Sequence, residues 1–289
     1  MLIVILLVMI VGLTVGLFLV GRTTVDVSLT TKMTDSSRAF NAAEAGIEEA
    51  IINSSVVQNA PIPVVTGQDP TYTVNVAPLG GGSQIFPSTI QLPWQQGKEF
   101  TVWLVPHNPD GTLSTARYYT NNTIAICFGT AATLPGQPDP AVAVTLFYRS
   151  PALDSRISYF GYDASSTVRT PGFGVASHTP AAPANQCITN GYWWGANVNF
   201  NADFGVDPTN AALFGAMQAL RIRPLYIQTA IAVVPHGGVG GVLPAQGDTI
   251  TSSGNAGETV RKIDVDKEQP RQPPFMDYTI YSYQGSLTK

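Results

Sequence analysis

The chain has 289 residues, a formal net charge of −4 and only 12 % charged residues. An apolar fraction of 44 % excludes intrinsic disorder, and a mildly acidic balance with no basic stripe excludes nucleic acid as the partner. With 27 glycines and 22 prolines, the composition fits a loop-rich β body better than an α/β enzyme.

Residues 1–21 carry no charge, and Arg22 is the first ionisable side chain. That length matches the roughly 20 residues a helix needs to cross about 30 Å of hydrocarbon. A cleaved signal peptide needs a basic n-region, a short apolar core and a small-residue exit site, and none of these is present. A fully buried core helix is oddly placed at the start of a chain. A plain membrane anchor fits the length but leaves the continuation unexplained.

The continuation, from Thr23 to Ser55, has no proline and a single glycine, Gly46. Val25, Leu29, Met33, Ser36, Phe40, Ala43, Ile47 and Ile51 recur at spacings of three and four, which predicts one apolar stripe on a helix. Ala39, Ala42, Ala43, Ala45 and Ala50 are strong helix formers. Residues 23–31 read two ways, as weak helix or as a partly unwound stretch, because Val25, Val27 and Leu29 also alternate and the β-branched side chains are stiff. The helix is predicted to end near Asn53-Ser54-Ser55, and Pro61 and Pro63 forbid much extension.

The runs LIVILLVMIVGLTVGL and SSRAFNAAEAGIEEAI, and most specifically Ala39 to Ala50, resemble the stalk helix of type IV pilins, in particular PilX-type, minor pilins and pseudopilins. The resemblance covers about residues 1–55, with a fainter echo in Leu220 to Tyr226 and Met276 to Ser282. It implies an α+β fold: a long N-terminal helix over 1–55, with 1–21 as the membrane and filament-core segment, then a mostly β globular head over 56–289. Leu2, Ile3, Leu6, Leu7, Met9, Ile10, Leu13, Leu17 and Phe18 are then the filament-core residues. Met33, Phe40, Ile47 and Ile51 are the expected stalk-to-head contact, worth roughly 1.5–3 kcal/mol per large side chain buried.

The implied life of such a chain starts in the inner membrane. The pilus assembly machinery then extracts it into an extracellular filament of identical copies on a bacterial surface. No cofactor, metal or catalytic group is expected. Two departures from the family pattern stand out. Family precursors carry a short basic leader that is cut away; none precedes this segment, so Met1 is expected to be the processed, N-methylated first residue. Most major pilins have Glu at position five, a charge partner for a neighbour's amine, whereas this chain has Ile5. Burying an unpaired amine costs several kcal/mol, so Ile5 argues for a minor or tip role or for different packing near the axis.

Beyond residue 56 the expected strands are Tyr72–Val76, Phe100–Val105, Thr123–Phe128, Val142–Tyr148 and Ile157–Tyr162, all rich in β-branched and aromatic residues. Asn108-Pro109-Asp110-Gly111 is a turn. Later strands are Asn197–Phe200, Ala219–Ile222, Ile227–Val234, Thr249–Thr251, Val260–Val265 and Tyr278–Tyr283, with one short helix at Asp207–Met217. Gly80 to Ser83 and Thr130–Pro140 read as surface loops, and Ser165 to Gln186 as irregular. Cys127 and Cys187 form one disulfide if this part lies outside the membrane, or else are two separate buried thiols; two cysteines without a nearby histidine pair do not make a zinc site.

The candidate chemistry is sparse. His107, His178 and His236 are scattered and read as loop residues, and His236-Gly237-Gly238 lacks the nucleophile elbow an esterase needs. Asp264, Asp266 and Glu268 lack the glycine and spacing of an EF-hand and read as a charged edge strand. Gly12 and Gly16 allow close helix approach or local softening. Tyr192-Trp193-Trp194 is either an adhesive patch for sugars or, more simply, core. Asn53 and Asn121 open N-x-S/T patterns that are frequent by chance. Glu44, Glu48 and Glu49 either pair with Arg22, Lys32 or Arg38 of neighbouring copies or are plain solvated charge. The function expected is a structural filament subunit. The alternatives are a minor or tip pilin or pseudopilin, and a membrane-anchored adhesin that never polymerises and takes a surface or glycan ligand on its head; an enzyme ranks last.

Overall fold

The computed structural model describes residues 2–53, 70–87, 99–108, 110–129, 139–152, 154–164, 169, 171–227 and 229–270. Met1, the strand expected at Tyr278–Tyr283 and most of the loop expected at 130–140 lie outside them. In chain order the helices are α1 (Leu2–Asn53), α2 (Asn185–Thr189) and α3 (Phe200–Phe204). The strands are β1 (Thr71–Leu79), β2 (Phe100–Trp103), β3 (Thr123–Phe128), β4 (Ala141–Arg149), β5 (Ser155–Asp163) and β6 (Gly174–Val175). They continue with β7 (Trp194–Asn199), β8 (Met217–Leu225), β9 (Ile231–Pro235), β10 (Gly247–Ala256) and β11 (Thr259–Glu268). The chain is therefore α+β, with one long apolar N-terminal helix and a mostly β remainder in several sheets.

It divides into two compact units: residues 1–77 with 249–267, and residues 78–248 with 268–289. The boundary expected at residue 55 thus falls inside the first unit. The hairpin of β10 and β11 comes from the far end of the chain to join α1, and no local signal announces that pairing.

In the first unit α1 runs unbroken for 52 residues, about 78 Å at 1.5 Å per residue. Residues 23–31 are helical. Thr23, Thr24, Thr30 and Thr31 donate their hydroxyls to carbonyls three or four residues back, which satisfies them within the helix. The three-stranded sheet has the order β1-β10-β11. Its inward side chains Val74, Val76 and Ile250 form a core with Ile47 and Ala50 of α1.

The face of α1 that seats on this sheet differs from the expected stripe. The buried positions are Ala39, Ala42, Ala43, Gly46, Ile47 and Ala50, at i, i+3, i+4, i+7, i+8 and i+11. Of the four expected contact residues only Ile47 is buried; Met33 is 67 %, Phe40 45 % and Ile51 44 % exposed. The reason is closeness of approach. A Cβ on Gly254 of β10 would collide with the Ala39 carbonyl oxygen and stand 2.6 Å from the Ala43 nitrogen. A Cβ on Gly46 would stand 2.6 Å from the Val74 side chain. Backbone meets backbone here, so only small residues fit, and the larger apolar residues flank the seat.

The second unit is a sandwich. A five-stranded sheet of order β2-β8-β4-β5-β6 is antiparallel except for the β5–β6 pair. An antiparallel sheet β7-β3-β9 shares one core with it. Alternate residues point into that core: Val142, Val144 and Leu146 from β4, Leu220 and Ile222 from β8, Ile124 and Ile126 from β3. On the opposite side of β3, Ala125 and Cys127 pack with Ala184 and Cys187 from and beside α2. Cys127 and Cys187 are disulfide-bonded, closing a separation of 60 residues.

Two expectations change in this unit. Asp207–Met217 is a run of turns followed by the start of β8. Asp207 accepts from the Thr209 backbone and hydroxyl, and Asn210 accepts from the Ala212 backbone, so side chains take the donors a helix would use. The strand expected at Ile227–Val234 starts only at Ile231, because Tyr226 has φ +69° and ends β8 in a turn.

The seat makes a clear prediction. Gly254→Val forces α1 off β10 and should destabilise the first unit by about 1–3 kcal/mol, whereas Ala45→Leu on the exposed face should stay within about 0.5 kcal/mol. Thermal unfolding of the full chain in detergent, followed by helical circular dichroism, reads both.

Candidate functional surface

The most distinctive surface lies on α1. From Ile3 to Val20 fifteen large apolar side chains, all round the helix, are 53–78 % exposed. They include Ile3, Leu6, Leu7, Met9, Ile10, Leu13, Leu17 and Phe18 of the expected filament-core set; the Leu2 side chain lies outside the described residues. A helix apolar on every side belongs inside lipid or inside other helices. Covering each such residue is worth roughly 1.5–3 kcal/mol, and the sum exceeds the roughly 5–15 kcal/mol net stability of a typical domain. The helix is long and apolar enough to cross a membrane. Gly12 and Gly16 meet no other atoms around them, so their surface is open to a neighbouring helix.

Further along α1 the surface becomes a groove of about 740 Å³. Leu29, Met33 and Phe40 line it with apolar groups, Ser36 and Ser37 with hydroxyls. Lys32 of α1 and Arg261 and Lys262 of β11 bring three cations to it. Arg261 donates from Nε and Nη2 to the Ser36 hydroxyl at 2.9 and 2.6 Å. Lys262 pairs with Asp264 at 3.1 Å. Arg261 and Lys262 lie more than 220 residues from Lys32, so no sequence window could have joined them.

The acidic residues divide by position. Glu49 accepts the Tyr72 hydroxyl in its own unit, and that bond, with burial and the Glu49 charge, raises the Tyr72 pKa. Glu44 and Glu48 stay exposed. Asp264 accepts the Thr251 hydroxyl at 2.6 Å, and this bond, followed by Lys262, lowers its pKa. Asp266 accepts the Thr249 hydroxyl at 2.7 Å. Both carboxylates lie on β11, at the edge of its sheet, and serve as cross-strand partners. Among the described residues no group of three His, Cys, Asp or Glu could hold a metal ion.

The remaining candidates are absorbed into the second unit. Tyr192 is buried beside the disulfide, and Trp193 stacks on His178 with ring centroids 3.9 Å apart. His107 meets Trp103 edge-on at 4.5 Å, and burial lowers its pKa. His236 shares a 2.8 Å hydrogen bond with the Thr123 hydroxyl. The Asn121 side chain accepts the Thr123 backbone N–H, forming a local turn. Among the described residues two ion pairs brace the five-stranded sheet, one of them buried on both sides, the other pairing buried Asp163 with the exposed Arg169. Arg169 bonds Asp163 at the end of β5, and Arg221 sits 3.4 Å from Glu99 and over the Phe147 ring. A cavity of about 60 Å³ beside Arg221 and Trp103 has room for a water or two.

Comparison with protein-family models, with curated proteins and with solved structures yields no match.

Three buried phenols set an alkaline limit on the second unit. Burial pushes Tyr119 and Tyr192 from 10.0 up to about 12 and raises Tyr162 further, helped by its bond to Asp203. These groups favour the folded state fully below pH 10, and that contribution is lost as pH rises from 10 through about 12. Tyrosinate absorbance should therefore show a late, cooperative phase that coincides with loss of near-ultraviolet circular dichroism. Smooth titration of all 11 tyrosines near their ordinary value, with tertiary signal intact, contradicts this.

Proposed function

We propose that this chain is the structural subunit of an extracellular type IV pilus-like filament. Its precursor rests in the inner membrane by residues 1–21, and the assembled form packs the same segment against identical copies. The observation that carries the reading is the all-round apolar exposure of α1 from Ile3 to Val20. Two features of α1 support it further. Gly12 and Gly16 leave open surface for close helix approach. The helix continues without a break for more than thirty residues past the apolar segment, to Asn53, which a simple anchor does not require. The type IV pilin resemblance of residues 1–55 agrees with both. The head's role in this reading is to form the outer surface of the fibre.

A second reading, a minor or tip subunit, is favoured by one residue. Ile5 supplies no carboxylate for a neighbour's amino terminus, so a copy with this residue suits a position with few neighbours. A non-polymerising membrane-anchored adhesin is the outcome that defeats both.

Filaments sheared from cells separate these readings. A helical repeat built mainly of this chain supports the major-subunit reading, and rare copies at one end support the tip reading. Leu6→Asp places a charge among packed helices and should abolish filaments while the protein still fractionates with membranes. Normal filaments from that variant contradict helix packing in the core, and detergent-soluble monomers as the sole form of the native chain sink the filament reading.

A further inference from the structure

We propose that the groove between α1 and β11 is an inter-copy dock. It receives the Glu44–Glu48 segment of α1 from a second copy of this chain. The proposal rests on the filament reading and specifies one contact within it.

The groove demands an occupant that is apolar, anionic and rod-like. Leu29, Met33 and Phe40 supply its apolar lining, and the cations come from Lys32, Arg261 and Lys262. Neither Lys32 nor Arg261 pairs with a carboxylate among the described residues; Arg261 spends two donors on a neutral hydroxyl and keeps its charge. Lys262 is shared with Asp264.

The chain itself presents such a rod. Glu44, Glu48 and Ile52 follow at i, i+4 and i+8, which puts them on one side of α1. Glu44 and Glu48 are exposed and pair with no cation among the described residues, and Ile52 is 78 % exposed. Within one copy these acids lie beyond the end of the groove, so the complementary surfaces can meet only between copies. The two helices then run parallel, because both uncharged ends need the same apolar surroundings. They are offset by about thirteen residues, roughly 20 Å along the axis.

An offset of this kind also fits how α1 is covered. The face that seats on the sheet is centred on Ala39, Ala43 and Gly46, and Glu44 and Glu48 point away from it. A neighbouring copy can therefore reach the acids without displacing the sheet.

Disulfide trapping tests the contact. The natural cysteines are both bonded, so introduced thiols report cleanly. Met33→Cys with Glu48→Cys in one chain places the thiols about 22 Å apart along the helix, too far to bond within a copy. Oxidised filaments, or membranes carrying the full chain, should give a ladder of multimers on non-reducing gels, and each single variant should give at most dimers.

A charge test accompanies it. Glu44→Lys with Glu48→Lys should raise the concentration needed for assembly by about tenfold, as should Lys32→Glu with Lys262→Glu, and mixing the two variants should restore co-pelleting. Normal filaments without a ladder overturn the dock and leave the filament reading standing. A ladder in membranes from a chain that never forms fibres supports the dock and sinks the filament. Neither ladder nor fibres sinks both. If instead the Lys32→Glu, Lys262→Glu variant loses binding to phosphatidylglycerol vesicles and no ladder forms, the cations face lipid headgroups and the dock is overturned.

Discussion

Water cannot be the permanent neighbour of the first twenty residues of α1. Fifteen large side chains from Ile3 to Val20 lie open on every side of one helix, and nothing among the described residues covers them. Their transfer free energy is larger than the stability of an ordinary domain, so the choice of surroundings for this rod dominates everything else the chain does. Lipid and a bundle of like helices both satisfy it. The two differ in what they ask of the rest of α1, and the unbroken, amphipathic continuation to Asn53 is the part that lipid does not explain.

That continuation is held by a contact of small residues. Ala39, Ala43 and Gly46 face Gly254 and Ser252, and the helix backbone comes down almost onto β10. Close approach maximises dispersion contact between backbones and leaves the bulkier Met33 and Phe40 to present apolar surface outside the seat. A helix clamped through its small face and apolar on its flanks has surface left over for further partners. The basic groove beside β11 lies along such a flank.

The second unit solves a different problem. Its sandwich core is ordinary in chemistry, and its buried charges Asp163 and Arg221 are each met by an opposite charge, Arg169 and Glu99. The disulfide ties β3 to α2 across 60 residues and stiffens a unit rich in turns. Such a bond contributes on the order of 2–4 kcal/mol by restricting the unfolded chain.

Much of this was legible in the residues themselves. The uncharged run to Gly21 and the absence of proline before Pro61 determine a long helix, because both signals are local. Thr123–Phe128 and the strands near 142–148 and 157–162 follow from β-branched and aromatic alternation, again local physics. Periodicity failed at the helix seat. It ranks residues by size, whereas the seat selects the smallest ones, and alanine reads equally as helix former and as contact. It failed also at Asp207–Met217, where Asx turns outcompete a helix by a few hydrogen bonds. The union of β10 and β11 with α1 and the meeting of Lys32 with Arg261 were decided only by the tertiary structure. Each joins residues far apart in the chain, and one sequence carries no record of which distant surfaces will be complementary in shape and charge.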